Sequence, residues 1–261
     1  MGFEKLWIIF AVCMAACSFG FIKYIYFISI GYGFAVAAGA VAVAVLFFDS
    51  LDAIALIQMV LYICYGVRLS GFLLMREIKS AAYRKTLKAV TNADRSLPVK
   101  LIIWVSVALL YTMQVSAMFY RLYNGVHQAA LPIAGIAISV AGLILEAQAD
   151  YQKSAQKKEN PNSVAMKGLY RFVRCPNYLG EVIFWTGVFI GSLSSVQGMQ
   201  RLLPLLAYVM IVLIMCNSAQ RLEKRQMKRY GNDRAYQRYA NSTPILFPFV
   251  PLYHFNKQEE K

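Results

Sequence analysis

The sequence predicts an all-α fold: a polytopic membrane helix bundle of about seven transmembrane helices, N-terminus outside and C-terminus cytoplasmic. Three observations carry this. Of the 261 residues, 59% are hydrophobic and only 15% charged, with a mean hydropathy of +0.49. The apolar residues are gathered into long unbroken blocks, which fits spanning helices and not the alternating strands of a membrane barrel. Charge sits between the blocks: of 27 Lys and Arg, seven lie in 76–100, six in 150–178 and nine in 219–261.

That clustering is the positive-inside signature. A net charge of +14 therefore reports topology, and no nucleic-acid partner is expected. A spanning helix needs roughly 20 apolar residues, and the candidate spans are 6–22, 25–48, 51–75, 99–120, 129–149, 179–197 and 202–218. The opening stretch reads as a retained first helix, because its charged region is short and a second apolar run follows at once. With the basic segments inside, loops 49–52, 121–128 and 198–201 face out and carry only Arg121 and Arg201 among Lys and Arg. The chain is read as a single integral membrane domain, 1–128 on the substrate side and 129–261 as a cofactor half with a cytoplasmic cap. Five cysteines are scattered without metal-ligand spacing. Cys13, Cys17, Cys64 and Cys216 lie in apolar runs and are expected in the core; no metal is expected.

Polar residues at membrane depth must face protein or a water-filled cavity. They are Gln58, Tyr62, Tyr65, Arg68, Gln114, Glu146, Asp150, Asn177 and Glu181. Tyr65 and Arg68 share a helix face, although Arg68 is near enough to the span's end to snorkel. Glu146 and Asp150 are one turn apart and repel unless cations reach them. Lys153, Lys157 and Lys158 continue that helix, and Arg171 and Arg174 come from the next loop, so either a salt-bridge network or a ligand site is open. Pro176 fits a first helical turn, with Asn177 and Glu181 one turn apart behind it. A helix start preceded by two arginines suits a phosphate or another anion. The tail reads as a basic helix stopped at Gly231, then a short helix with Tyr236 and Tyr239 one turn apart. It packs on the protein or lies on lipid headgroups. The glycines of "GYGFAVAAG" and "GVFIGS" read as helix-packing positions.

The stretch "GLYRFVRCPNYLGE" resembles the Arg-His-Pro-Asn-Tyr-x-Gly-Glu fingerprint of the steroid 5-alpha-reductase superfamily, nearest to its bacterial-type branch of uncharacterised multi-pass membrane proteins. "EAQADYQKSAQKKEN" and "RLEKRQMKRYGNDRAYQRYANSTPILFP" resemble the flanking segments in the same order, covering roughly the C-terminal half. "CYGVRLSGFLLMRE" is a weaker likeness. Two positions depart: Cys175 replaces the usual histidine, and Ser29 stands where the family carries a carboxylate.

The resemblance implies an NADPH-dependent reductase of a conjugated C=C bond in a steroid-like or other lipidic enone. It assigns Tyr65 to the substrate carbonyl with Arg68 as polar support, and Gln58 and Tyr62 to the substrate. It assigns Glu146, Asp150, Lys153, Lys157, Arg171, Arg174, Asn177, Tyr178, Glu181, Glu223, Tyr236 and Tyr239 to the cofactor, with Lys157 suited to its phosphates. Isoprenylcysteine carboxyl and phospholipid N-methyltransferases share a similar stretch but use S-adenosylmethionine. Asn177, Glu181 and the Asp150-x-Gln152-Lys153 segment favour the reductase branch. A non-catalytic lipid-binding relative is the third alternative, motivated by Ser29 and Cys175. The implied partners are a lipidic small molecule and membrane lipids, for a monomer in the plasma or inner membrane of a bacterium or the endoplasmic reticulum of a eukaryote.

Overall fold

The computed structural model describes residues 2–81, 83, 84, 87 and 95–256. The middle of the basic segment 76–100 lies outside them. Among the described residues the chain is helical, without strands: α1 (Phe3–Cys17), α2 (Ile30–Leu46), α3 (Ala53–Lys79), α4 (Leu97–Tyr123), α5 (Ala130–Glu159), α6 (Pro176–Ser192), α7 (Leu202–Tyr230) and α8 (Arg234–Ser242). Five helical stretches among them are long and apolar enough to cross a membrane: Glu4–Phe21, α3, α4, α5 and Gly198–Tyr230. The chain is therefore an integral membrane protein by length and composition. Helix α2 is apolar but has only 17 residues, about 25 Å at 1.5 Å per residue.

The expected span 6–22 matches Glu4–Phe21, whereas the span expected at 25–48 is shortened to Ile30–Leu46 for a local reason. Helix α1 ends at Cys17, and 3-10 turns cover Ser18–Phe21 and Tyr24–Ile28 before α2 starts. The Phe27 ring seats on Gly20, where a Cβ would lie 2.0 Å from it, so no larger residue fits that corner. Lys23 Nζ donates to Glu77 Oε1 (2.6 Å) and Tyr26 OH to Glu77 Oε2 (2.8 Å), fixing the corner to α3.

The chain divides into two compact units, Met1–Ile136 with Val188–Tyr208, and Ala137–Gly187 with Val209–Lys261. In the first unit α2 and α3 meet at glycines: a Cβ on Gly66 would stand 2.1 Å from the Gly33 carbonyl oxygen. The glycine at 33 thus packs helices, as expected of "GYGFAVAAG". Trp104 Nε1 of α4 donates to the Met14 carbonyl (2.8 Å) and Tyr111 OH to that of Phe27 (2.7 Å). Asp52 caps α3 by accepting from Ala55 N (2.7 Å) and also accepts from Arg121 Nε (3.1 Å). Arg121, read from sequence only as a loop charge, is 2% exposed. Among the four cysteines expected in the core, Cys13 and Cys17 are buried and Cys216 is half-buried, but Cys64 is exposed on α3. The lipid side of a spanning helix is as apolar as its protein side, so an apolar run does not tell which way a cysteine points.

In the second unit α5 and α6 cross at Gly142 and Gly180. A Cβ on Gly142 would lie 2.4 Å from Phe184 N, and one on Gly180 2.7 Å from Glu146 N. Ser139 Oγ donates to the Phe184 carbonyl (2.8 Å) beside this crossing. Beyond it α5 runs on to Glu159 as a rail for the following loop. Gln152 Oε1 accepts from Leu169 N (2.8 Å), and Gln156 Oε1 accepts from Met166 N and Lys167 N (3.0 Å each). Gly168 turns at φ +67°, with a would-be Cβ 2.3 Å from Gln152 Oε1, so glycine is required there. Helix α7 stops at Tyr230 before Gly231, and Asp233 caps α8 by accepting from Ala235 N (2.8 Å). The tail therefore has the two-helix form expected from its glycine.

Candidate functional site

The polar cluster of the second unit grows from three pieces of chain. The rail of α5 supplies Glu146, Asp150 and Lys153; the loop into α6 supplies Tyr170 and Arg174 and α6 itself Asn177 and Glu181; α7 supplies Glu223 and α8 Tyr236 and Tyr239. Arg174 and Glu223 form its centre. Arg174 Nη2 donates to Glu223 Oε1 at 2.9 Å, and each side chain is 2% exposed. Glu223 also accepts from His254 Nδ1 (2.8 Å), Phe255 N (3.0 Å), Asn256 N (3.1 Å) and Asn256 Nδ2 (2.8 Å). Arg174 Nη2 reaches the Tyr253 carbonyl as well, and Arg174 N donates to Pro244 O at 2.9 Å. A buried ion pair is tolerated where further hydrogen bonds satisfy it, and the strap 253–256 supplies them to the carboxylate.

The guanidinium is not satisfied in the same way. Arg174 Nε and Nη1 are buried and have no hydrogen-bond partner among the described residues. Asn177 Oδ1, in the first turn of α6, and the Tyr236 hydroxyl are also buried without one. Tyr236 lies within electrostatic reach of Arg174, whose charge favours the phenolate, but burial outweighs that pull and raises the phenol. The Tyr236 hydroxyl and the guanidinium are close enough to interact side chain to side chain, although their placement falls outside strict hydrogen-bond geometry. Buried polar atoms are nearly always paired in folded proteins. Arg174 Nε and Nη1, the Asn177 amide oxygen and the Tyr236 hydroxyl are thus buried polar atoms of one unit that a polar ligand could engage.

The surroundings are tightly built. Tyr239 OH donates to the Tyr170 carbonyl (2.7 Å), and Tyr170 OH to the Ala149 carbonyl (3.3 Å). Burial raises both phenols well above their usual range, with Asp150 adding to the effect on Tyr170. Burial pushes the Cys175 thiol up to about 12, against opposing pulls from Lys153 and Arg174. Glu181 is 4% exposed and accepts from Trp185 Nε1 at 3.2 Å, so at least one of its partners is on its own helix. Glu146 is buried at the α5–α6 crossing, and Tyr178 packs near Cys175. Lys157, expected at phosphates, donates to Pro161 O (3.3 Å), Ser163 O and Tyr230 OH (3.0 Å) and so holds the loop to α7. Arg171 is exposed. The structure thus brings Asp150, Lys153, Arg174, Glu223, Tyr236 and Tyr239 together with the unforeseen Tyr170, His254 and Asn256.

The first-unit candidates form a separate group. Tyr65 is fully buried on α3, its ring 5.9 Å from that of Tyr32, which stacks on Tyr111 at 5.0 Å. Gln114 Nε2 donates to Tyr32 OH (2.9 Å), and Tyr62 OH to the Gln114 carbonyl (3.3 Å). The side-chain amide oxygens of Gln58 and Gln114 are buried and accept no hydrogen bond. Arg68 is half-buried, its Nε and Nη2 shielded from solvent. Ser29 Oγ donates to the Ile25 carbonyl (2.9 Å).

A family model described as "Protein of unknown function (DUF1295)" matches residues 22–243. The chain belongs to the DUF1295 family. That match spans α2 to α8 and takes in the first-unit group and the second-unit cluster apart from His254 and Asn256, which belong to the strap beyond the DUF1295 region. No curated protein and no solved structure matches the chain.

Proposed function

We propose that this DUF1295 protein is a membrane reductase of the steroid 5-alpha-reductase superfamily, using NADPH to reduce a C=C bond conjugated to a carbonyl in a lipidic substrate. The observation that carries the reading is the buried Arg174 of the fingerprint, whose Nε and Nη1, like Asn177 Oδ1 and the Tyr236 hydroxyl of the same unit, lack hydrogen-bond geometry to any described residue. These groups fit the cofactor. Arg174 offers paired donors to a phosphate or carbonyl oxygen, Asn177 Oδ1 an acceptor to an amide or ribose hydroxyl, and the α6 N-terminus the positive end of a helix dipole. Lys153 adds positive charge. When bound, the dihydronicotinamide supplies the hydride. The Tyr65 hydroxyl donates a hydrogen bond to the substrate carbonyl oxygen and stabilises the enolate that hydride addition to the β-carbon leaves, until a proton delivered to the α-carbon completes the reduction. Gln58 and Tyr62 orient the substrate, and the apolar helices exclude water.

The same reading counts α2 and α6 as the remaining crossings, making seven, and sets the basic segments on the cytoplasmic side. The test compares thermal unfolding of the purified protein in detergent with NADPH and with S-adenosylmethionine, since a ligand of the folded state alone raises its stability. Stabilisation by NADPH, followed by its oxidation with an enone lipid, supports the reductase. Stabilisation by S-adenosylmethionine instead transfers the site to methyl transfer. Binding of NADPH without oxidation by any enone leaves a non-catalytic relative.

A further inference from the structure

Phe249 is 97% exposed, at the tip of a turn flanked by Pro248 and Pro251, and the neighbouring Val250 is 48% exposed. The turn is built, not loose: Val250 N donates to the Phe247 carbonyl (3.2 Å) and Ile245 N to the Leu252 carbonyl (2.9 Å). Its two feet, Phe247 and Leu252, pack against a cluster containing Cys216, Ala219 and Leu222 of α7. That is where α7 changes character. Val209–Cys216 is apolar, whereas Arg221, Lys224, Arg225, Lys228 and Arg229 are all exposed. In a helix read as spanning, such a change marks the level of the headgroups. The tip therefore sits at the height where aromatic side chains gather in membrane proteins and where cationic residues meet anionic lipid. Directly after the turn comes the strap 253–256, which holds Glu223 and Arg174.

The geometry points to an interfacial anchor: the turn 248–251 inserts Phe249 into a bilayer surface of anionic phospholipid, and the basic stretch of α7 holds the headgroups around it. This fastens the strap to the membrane and goes beyond the reductase reading. The full chain carrying Phe249→Trp is reconstituted in nanodiscs of phosphatidylcholine alone or with phosphatidylglycerol, and its emission is compared with that of the parent, which has three tryptophans. The expected result is an added emission that is blue-shifted, quenched by brominated acyl chains and shielded from aqueous iodide, more strongly with phosphatidylglycerol. Emission quenched by iodide overturns insertion. Emission quenched by neither, showing the tip covered by protein, overturns it too. Equal quenching by brominated lipid with and without phosphatidylglycerol overturns the part assigned to the basic stretch.

Discussion

Arg174 and Glu223 lie 49 positions apart in sequence and meet as a buried ion pair, N to O 2.9 Å, with four further hydrogen bonds reaching the carboxylate from residues 254–256. The pair joins the loop before α6, the basic end of α7 and the strap at one carboxylate. Removing one partner leaves a charge buried alone, which costs about 3–5 kcal/mol. Glu223→Ala should therefore lower the thermal unfolding midpoint sharply, whereas Arg174→Met with Glu223→Leu should cost less than the sum of the single changes. A double-mutant cycle of unfolding free energies in detergent checks this, and additive losses would show the pair to be uncoupled.

Asn177 separates ligand binding from stability. Its Oδ1 has no hydrogen-bond partner among the described residues, so Asn177→Ala should leave the midpoint nearly unchanged. If it accepts from the cofactor, NADPH affinity should fall about tenfold, equivalent to 1.4 kcal/mol. Isothermal titration with the parent and variant decides; unchanged affinity removes Asn177 from the site.

How much of this was legible follows from where spacing carries information. The C-terminal end of α5 was readable because Glu146, Asp150, Lys153 and Lys157 recur at helical spacing beyond an apolar run. The break before α8 was readable because Gly231 and Asp233 are stop and start signals. The partners of Glu223 were not, since residues 253–256 are irregular and no period ties them to α7. The start of α2 was blurred for another reason: the corner around Phe27 is made of apolar residues and so reads as part of the span 25–48. Arg121 was hidden because its carboxylate, Asp52, lies 69 positions away.

The α5–α6 crossing tests the fold beneath the polar cluster. A methyl on Gly142 would meet the backbone N of Phe184 at 2.4 Å and the carbonyl of Gly180 at 2.7 Å. Backbone cannot turn aside as a side chain can, so Gly142→Ala should cost about 1–3 kcal/mol by overpacking. Gly71, with nothing within 4 Å of a would-be Cβ, is the control, and Gly71→Ala should be neutral or slightly stabilising in its helix. Equal unfolding midpoints for the two variants would show that the helices do not approach as closely at Gly142.

Tyr65→Phe tests the catalytic assignment. The ring is fully buried and edge-on to Tyr32, so loss of one oxygen keeps the packing, and NADPH affinity should not change. If the hydroxyl donates to the substrate carbonyl in the transition state, kcat should fall about 100-fold or more. Equal turnover by the variant would exclude Tyr65 as the donor.

Cys175 gives a prediction in alkali. Burial raises its thiol from 9.0 to about 12, so the neutral form belongs to the folded state. For an acid whose folded value is raised, the stabilisation is fully present below the unfolded value and disappears as pH climbs through the folded one. The parent should therefore lose stability relative to Cys175→Ala between about pH 9 and 12. Lysines and tyrosines titrate in both proteins, so the difference between their unfolding curves isolates the thiol. The same burial keeps Cys175 from reacting with maleimide at neutral pH until the protein unfolds, because the thiolate is the nucleophile. Rapid native labelling at Cys175, read by peptide mass spectrometry, would mean that the loop before α6 opens and exposes the Arg174–Glu223 pair beside it.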